Sequence, residues 1–159
     1  KEPGTIASKG NEIYCTKCGV KTEITEKGFF ADGFKFKNTY EWDCWQEEFF
    51  KDFLQKREGL YFKDSDIIMK TVTSDHNEVV VGVGDLEMNK DKFVFRHDGE
   101  CREILISQIP DMSIYAKCGL MFTDTEGTHY ELLRGTKGTL YNARKYLSCW
   151  NILRTKVEE

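Results

Sequence analysis

Glu78-Val79-Val80-Val81-Gly82-Val83-Gly84-Asp85-Leu86-Glu87-Met88 is followed by Asn89-Lys90-Asp91 and then by Lys92-Phe93-Val94-Phe95-Arg96. Two runs rich in β-branched and aromatic residues, parted by a short polar turn signal, predict an antiparallel strand pair. Gly82-Val83-Gly84 looks like the start of a dinucleotide-binding fingerprint, but the third glycine and the following helix are missing. Inside a strand pattern glycine marks a bulge or a bend, and that reading is preferred.

Outward from this pair the same pattern repeats. Further short strands are predicted at Ile67 to Thr73, Glu103 to Ile109, Met112 to Lys117, Leu120 to Asp124 and His129 to Leu133. Ser74-Asp75-His76-Asn77, His97-Asp98-Gly99 and Asp124-Thr125-Glu126-Gly127 supply the turns. The end of the chain is helical. Leu140, Ala143, Leu147 and Trp150 share one face, Tyr146 and Leu153 lie beside it, and Thr139 serves as N-cap. The expected fold class is mainly β (α+β). About seven antiparallel strands capped by a C-terminal helix, over residues 59–159, give the outline of a pleckstrin-homology-like or GRAM-like barrel.

The first part of the chain reads differently. Residues 1–10 lack any period and read as a linker. Residues 11–38 contain Cys15-Thr16-Lys17-Cys18-Gly19, then two strand candidates at Lys21 to Thr25 and Phe29 to Phe36, the outline of a zinc-ribbon-like hairpin. Residues 39–58 form an amphipathic helix. Trp42, Trp45, Phe49, Phe50, Phe53 and Leu54 fall on one stripe, and Gly59 suits its stop. So aromatic a stripe, with Trp42, Trp45, Phe49 and Phe53 at its centre, belongs either to a core or to a contact with a partner.

Of the residues, 40% are hydrophobic and 13% aromatic, so a folded domain is expected. The net charge of −4, without a long basic run, argues against nucleic-acid partners and against simple adsorption to anionic lipid. No signal peptide, membrane-span pattern or Asn-x-Ser/Thr acceptor is present, and a cytoplasmic setting is expected. The chain starts at Lys1 without Met, and the expectation is a segment of a longer protein.

Cys15 and Cys18 are the sharpest chemical feature. Two thiols at this spacing in a glycine-containing turn can face one metal, but a structural zinc site needs four ligands. Where a second knuckle should fall stands Phe30-Ala31-Asp32-Gly33. Zinc completed by Asp32, Cys44 or a neighbouring chain, a metal-free relic, and a redox dithiol are the three readings. The half-set favours the relic and the lack of a thioredoxin-like βαβ pattern disfavours redox chemistry. No cofactor is required; zinc is the metal compatible with the thiols. Cys44, Cys101, Cys118 and Cys149 read as core thiols. His76, His97 and His129 lie in or beside turns, where lone histidines are usually solvated, and no catalytic residue is assigned. Arg134, Lys137 and Thr139 precede the last helix and form a candidate anion or headgroup site. The competing reading, a flexible capped loop, is preferred.

Tyr14-Cys15-Thr16-Lys17-Cys18-Gly19, Tyr40-Glu41-Trp42-Asp43-Cys44-Trp45-Gln46 and the β region after them resemble a known arrangement. It is the C-terminal extension of some 1-acyl-glycerol-3-phosphate acyltransferases of clostridial type. The resemblance implies an N-terminal catalytic domain beyond this chain, acylating lysophosphatidic acid at the inner membrane face. That family's His-x-x-x-x-Asp motif is absent: five places after His76, His97 and His129 stand Val81, Arg102 and Arg134. This segment would be an accessory module, touching a protein partner or a second copy in preference to lipid. The rival readings are an enzyme with a Cys–His site assembled in space and a structural dimerisation module.

Overall fold

A computed structural model describes residues 5–72, 75–115, 119–135 and 142–155 of the chain. Two compact units divide it, Lys1–Gln55 and Lys56–Glu159.

The N-terminal unit starts with a strand where a linker was expected. Strands β1 (Ile6–Lys9), β2 (Glu12–Cys15) and β3 (Lys21–Glu23) form an antiparallel sheet in that order. Gly10, at φ 60°, lets β1 turn back onto β2 within two residues, which register Lys9 against Glu12. Short polar Ala-Ser-Lys carries too little apolar period to announce β1. The strand expected over Phe29 to Phe36 is absent: only the isolated bridges Ile24–Phe30 and Phe29–Asn38 occur there. Gly28 (φ 80°) and Gly33 (φ 83°) bend this backbone twice; Phe30, Phe34 and Phe36 contact one another in series while Phe29 is left exposed. Helix α1 spans Thr39–Lys56. Asn38 Oδ1 accepts the Glu41 amide at 2.9 Å and Glu41 Oε2 accepts the Lys37 amide at 2.9 Å, a reciprocal N-cap. Phe50 and Leu54 are its buried residues.

The C-terminal unit is one seven-stranded antiparallel sheet, ordered β7-β6-β5-β4-β10-β9-β8. Its strands are β4 (Phe62–Val72), β5 (Glu78–Met88), β6 (Lys92–His97), β7 (Glu100–Leu105), β8 (Asp111–Tyr115), β9 (Gly119–Thr123) and β10 (His129–Arg134). Every neighbouring pair but β4–β10 is consecutive in the chain, so the sheet is two meanders joined where the last strand pairs with the first. β4 is the hinge of that arrangement. Its first residues pair only with β5, whereas Ile67 to Val72 pair with β5 and β10 both. Between Asp64 and Ile67 the register slips, with Asp66 at φ 60°, a bulge that bends the strand.

The sheet is open, and this corrects the expectation of a closed barrel. Among the described residues β7 and β8 do not pair, and a single 3-10 turn (Ile106–Gln108) with Pro110 after it separates them. The stretch expected as one strand from Glu103 to Ile109 is thereby split. The two glycines of β5 are explained by close approach. A Cβ at Gly84 would lie 1.9 Å from the Arg96 carbonyl oxygen, and one at Gly82 would lie 2.5 Å from the His97 ring.

Helix α2 (Ala143–Thr155) packs against β8, β9 and the 3-10 turn. Asn142 Oδ1 accepts the Arg144 amide at 3.1 Å, giving the helix a cap; the expected cap Thr139, with Leu140, lies outside the described residues. The buried face is Ala143, Tyr146, Cys149 and Trp150, while Leu147 and Leu153, expected on or beside it, are half-exposed. Both ends of α2 are fastened by polar contacts. Tyr146 donates its hydroxyl to Asp64 Oδ2 at 2.5 Å, and Lys145 Nζ reaches the same oxygen at 2.6 Å. Further along the helix, Trp150 Nε1 donates to the Ile109 carbonyl at 3.3 Å and Arg154 to that of Pro110 at 3.2 Å. Beneath lie Ile67, Met69, Leu86, Met88, Phe93, Phe95, Leu120 and Leu132, all fully buried.

Candidate thiol knuckle and neighbouring sites

The turn from β2 to β3 is built around Cys15. Its amide donates to Val20 O at 2.8 Å and its carbonyl accepts the Gly19 amide at 3.0 Å, closing the loop; Gly19 sits at φ 71°, which glycine tolerates. The Cys15 thiol is buried and Cys18 is exposed. Thr5 Oγ1 and Cys15 Sγ are hydrogen-bonded at 3.5 Å, and the Thr16 amide donates to Thr5 O, which ties β1 to the knuckle. That hydroxyl, the backbone amides of Cys18 and Lys17, and the Cys18 thiol all stabilise the anionic sulfur. Together they lower the Cys15 pKa from about 9 to about 6 against the opposing effect of burial. The Thr5 contribution had no signal in the sequence, since a threonine ten residues away carries no spacing rule.

An amide-supported sulfur beside a second thiol, with two residues between them, is the donor chemistry that a soft divalent metal such as zinc takes. Two thiols are half a tetrahedral set. Among the described residues no three His, Cys, Asp or Glu side chains gather as a metal site requires, so Asp32 and Cys44 do not join Cys15 and Cys18 in such a group. Cys44 is exposed on α1, contrary to its expected place in a core.

The aromatic stripe forms a continuous ladder within the N-terminal unit. Phe36 meets Trp45 at 5.4 Å between centroids, Trp45 stacks on Phe49 at 5.6 Å, and Phe49 stacks on Phe53 at 6.4 Å. Trp42 contacts the buried Phe30 edge-on at 5.4 Å. Lys35 Nζ lies 5.1 Å from the Phe36 ring centre and 5.0 Å from that of Trp45. Trp42, Trp45, Phe49 and Phe53 are all half-buried.

In the C-terminal unit, Arg134 ends β10, but Lys137 and Thr139 lie outside the described residues, as does Cys118. The Gly135 amide donates to Asp66 O at 2.7 Å, so it is committed to the β4 bulge. The β6–β7 hairpin carries a group that sequence reasoning did not assemble. Arg96, His97, Asp98, Gly99, Glu100 and Cys101 line an open cavity of about 310 Å³. Arg96 Nη1 lies 3.3 Å from Cys101 Sγ, and His97 Nε2 lies 3.6 Å from Glu100 Oε2. His97 was expected in solvent; its side chain is only 10% exposed because it folds over Gly82. Cys101 was expected in a core and is exposed, because it sits on the outer strand β7. Cys149 is buried, and desolvation pushes its thiol well above the ordinary range. His129 Nδ1 shares a 3.0 Å hydrogen bond with Thr123 Oγ1 across β9 and β10.

No described helix is long and apolar enough to cross a membrane. No family model matches the chain, and no curated protein matches it. Among solved structures, a chain of the 8S snRNP assembly intermediate is 14% identical with a TM-score of 0.45, over 62% of this chain and 82% of that one. Inner membrane complex sub-compartment protein 3 from Toxoplasma gondii is 16% identical with a TM-score of 0.43, over 86% of this chain and 98% of that one. Both TM-scores fall below 0.5, so neither likeness bears on what this chain does.

Proposed function

We propose that the chain is a non-catalytic accessory module that positions an attached catalytic domain through protein contact. The observation that carries the reading is the half-buried ladder of Trp45, Phe49 and Phe53 stacked along α1. Aromatic side chains with few rotamers are the residues that anchor protein interfaces. The C-terminal unit reads as a pleckstrin-homology-like or GRAM-like fold. Two meanders joined into seven antiparallel strands, a bulged first strand paired on both sides and a final helix support that reading. The parent is proposed to be a lysophosphatidic acid acyltransferase, on the strength of the Tyr14 to Gly19 and Tyr40 to Gln46 segments. The net charge of −4 favours protein over anionic lipid as the partner. Flotation with phosphatidylcholine vesicles, with and without phosphatidylserine, tests this choice. The chain is expected to stay unbound in both; strong binding to the anionic vesicles would replace protein contact with headgroup binding.

A second reading rests on the β6–β7 hairpin, where a thiol, a guanidinium and an imidazole share one cavity. It makes the module an enzyme with Cys101 as nucleophile. Alkylation kinetics discriminate: a Cys101 that reacts no faster than a free thiol at neutral pH removes this alternative.

A further inference from the structure

We propose that the Cys15–Cys18 knuckle is half of a zinc site completed by the same knuckle of a second copy of this chain. Three observations converge on it. The turn brings the two sulfurs together: the Lys17 and Cys18 amides and the Thr5 hydroxyl serve Cys15, and the Cys18 thiol lies within hydrogen-bonding reach of it. Zinc takes four such ligands in structural sites. Among the described residues no third His, Cys, Asp or Glu stands with the two thiols, so the remaining corners come from outside the described part of this chain.

The surface around the knuckle supports a second copy. Thr16, Lys17, Cys18, Gly19, Val20 and Lys21 are all exposed, so the turn presents Cys18 at the surface with the 9%-exposed Cys15 thiol directly behind it. Val20 is 52% exposed, an apolar side chain beside the thiols that a symmetric contact would bury twice. Two knuckles related by a two-fold axis supply four sulfurs without any further residue. On binding, each thiol releases its proton to solvent as its bond to zinc forms; no electron moves. Four thiolates around Zn²⁺ leave a charge of two minus, and Lys17, the residue between Thr16 and Cys18, is the basic side chain of the turn.

This contact does not involve the aromatic ladder, so either can fail without the other. The test uses the full chain, reduced and stripped of metal, with zinc added alone. Sedimentation velocity is expected to show a monomer without zinc and a dimer with it, at one zinc per two chains, reversed by EDTA. Cobalt(II) in place of zinc is expected to give the intense visible bands of a tetrahedral tetrathiolate site. Cys18→Ser, at an exposed position, is expected to abolish the zinc-dependent dimer while the circular dichroism of the chain is kept. Val20→Ser is expected to weaken the dimer roughly tenfold, and Trp45→Ser to leave it intact. One zinc per chain without a change in mass, loss of the metal on Asp32→Asn or Cys44→Ser, a zinc-dependent dimer that survives Cys18→Ser, or no zinc binding at all would each overturn the proposal.

Discussion

The two units solve the problem of stability by different means. In the C-terminal unit Trp150, Tyr146, Phe93 and Phe95 are fully enclosed together with aliphatic side chains from β4, β5, β9 and β10. The N-terminal unit has no described residue buried to that degree: its buried apolar residues are Cys15, Phe30, Phe50 and Leu54, at 6–9% exposure. Its rings stack in a file along α1 instead of closing around a centre. Small units with so little enclosed surface are the ones that lean on metals, disulfides or partners. The difference teaches where to look for function: one unit stands on its core, and the other keeps its aromatic and thiol groups within reach of something else.

Breaking the larger core is expected to have the greatest effect. Trp150→Ala removes an indole enclosed under α2 together with its bond to Ile109, and should cost about 3–5 kcal/mol in urea unfolding of the C-terminal unit. The polar clamp at the other end of α2 comes next. Asp64→Ala leaves the mostly buried Lys145 without its carboxylate and should cost about 3 kcal/mol. Replacing all three partners, as Asp64→Leu with Lys145→Met and Tyr146→Phe, leaves none of them unpaired and should cost clearly less, which the same unfolding curves read. Gly84→Ala drives a methyl into the Arg96 carbonyl and should destabilise by about 2 kcal/mol, read from the same unfolding curves.

Effects in the N-terminal unit should be smaller and local. Trp45→Ala breaks the ladder at its middle and is expected to cost about 1 kcal/mol there, leaving the C-terminal transition unmoved. The smallest effect is a pH dependence. The folded Cys15 pKa lies below its ordinary value, so the thiolate's stabilising bonds are fully present above about pH 9. They are lost as the pH falls through about 6. Thiolate absorbance of the metal-free chain, compared between the parent and Thr5→Val, checks this: the parent midpoint should lie near 6 and the variant's should move up.

Much of this division was legible in the residues, and the exceptions share a cause. The strand Glu78–Met88 announced itself because its run of β-branched valines ends in a polar turn signal. The strand at Ile6–Lys9 and the start of β4, with Lys63, Asp64 and Asp66, did not, because their side chains are mostly exposed or half-exposed and no buried face imposes an apolar alternation. Phe29 to Phe36 misled in the opposite sense. Its aromatic content follows a strand-like rule, but the backbone turns at Gly28 and Gly33 leave only isolated bridges there. At the knuckle the Cys-x-x-Cys spacing was readable, while the Thr5 hydroxyl that joins it was not. The Asp64–Tyr146 bond spans 82 positions, and the hairpin group of Arg96, His97 and Cys101 exists only once register is set. Contacts fixed by register leave no trace in spacing.

Hydrogen exchange of the metal-free full chain tests the contrast between the units most directly. Amides of β4, β5, β6, β9, β10 and α2 should exchange only through global unfolding, and those of β1, β2, β3 and α1 through cheaper local openings. Equal protection across both sets would contradict it, since the N-terminal unit would then be as self-sufficient as its neighbour.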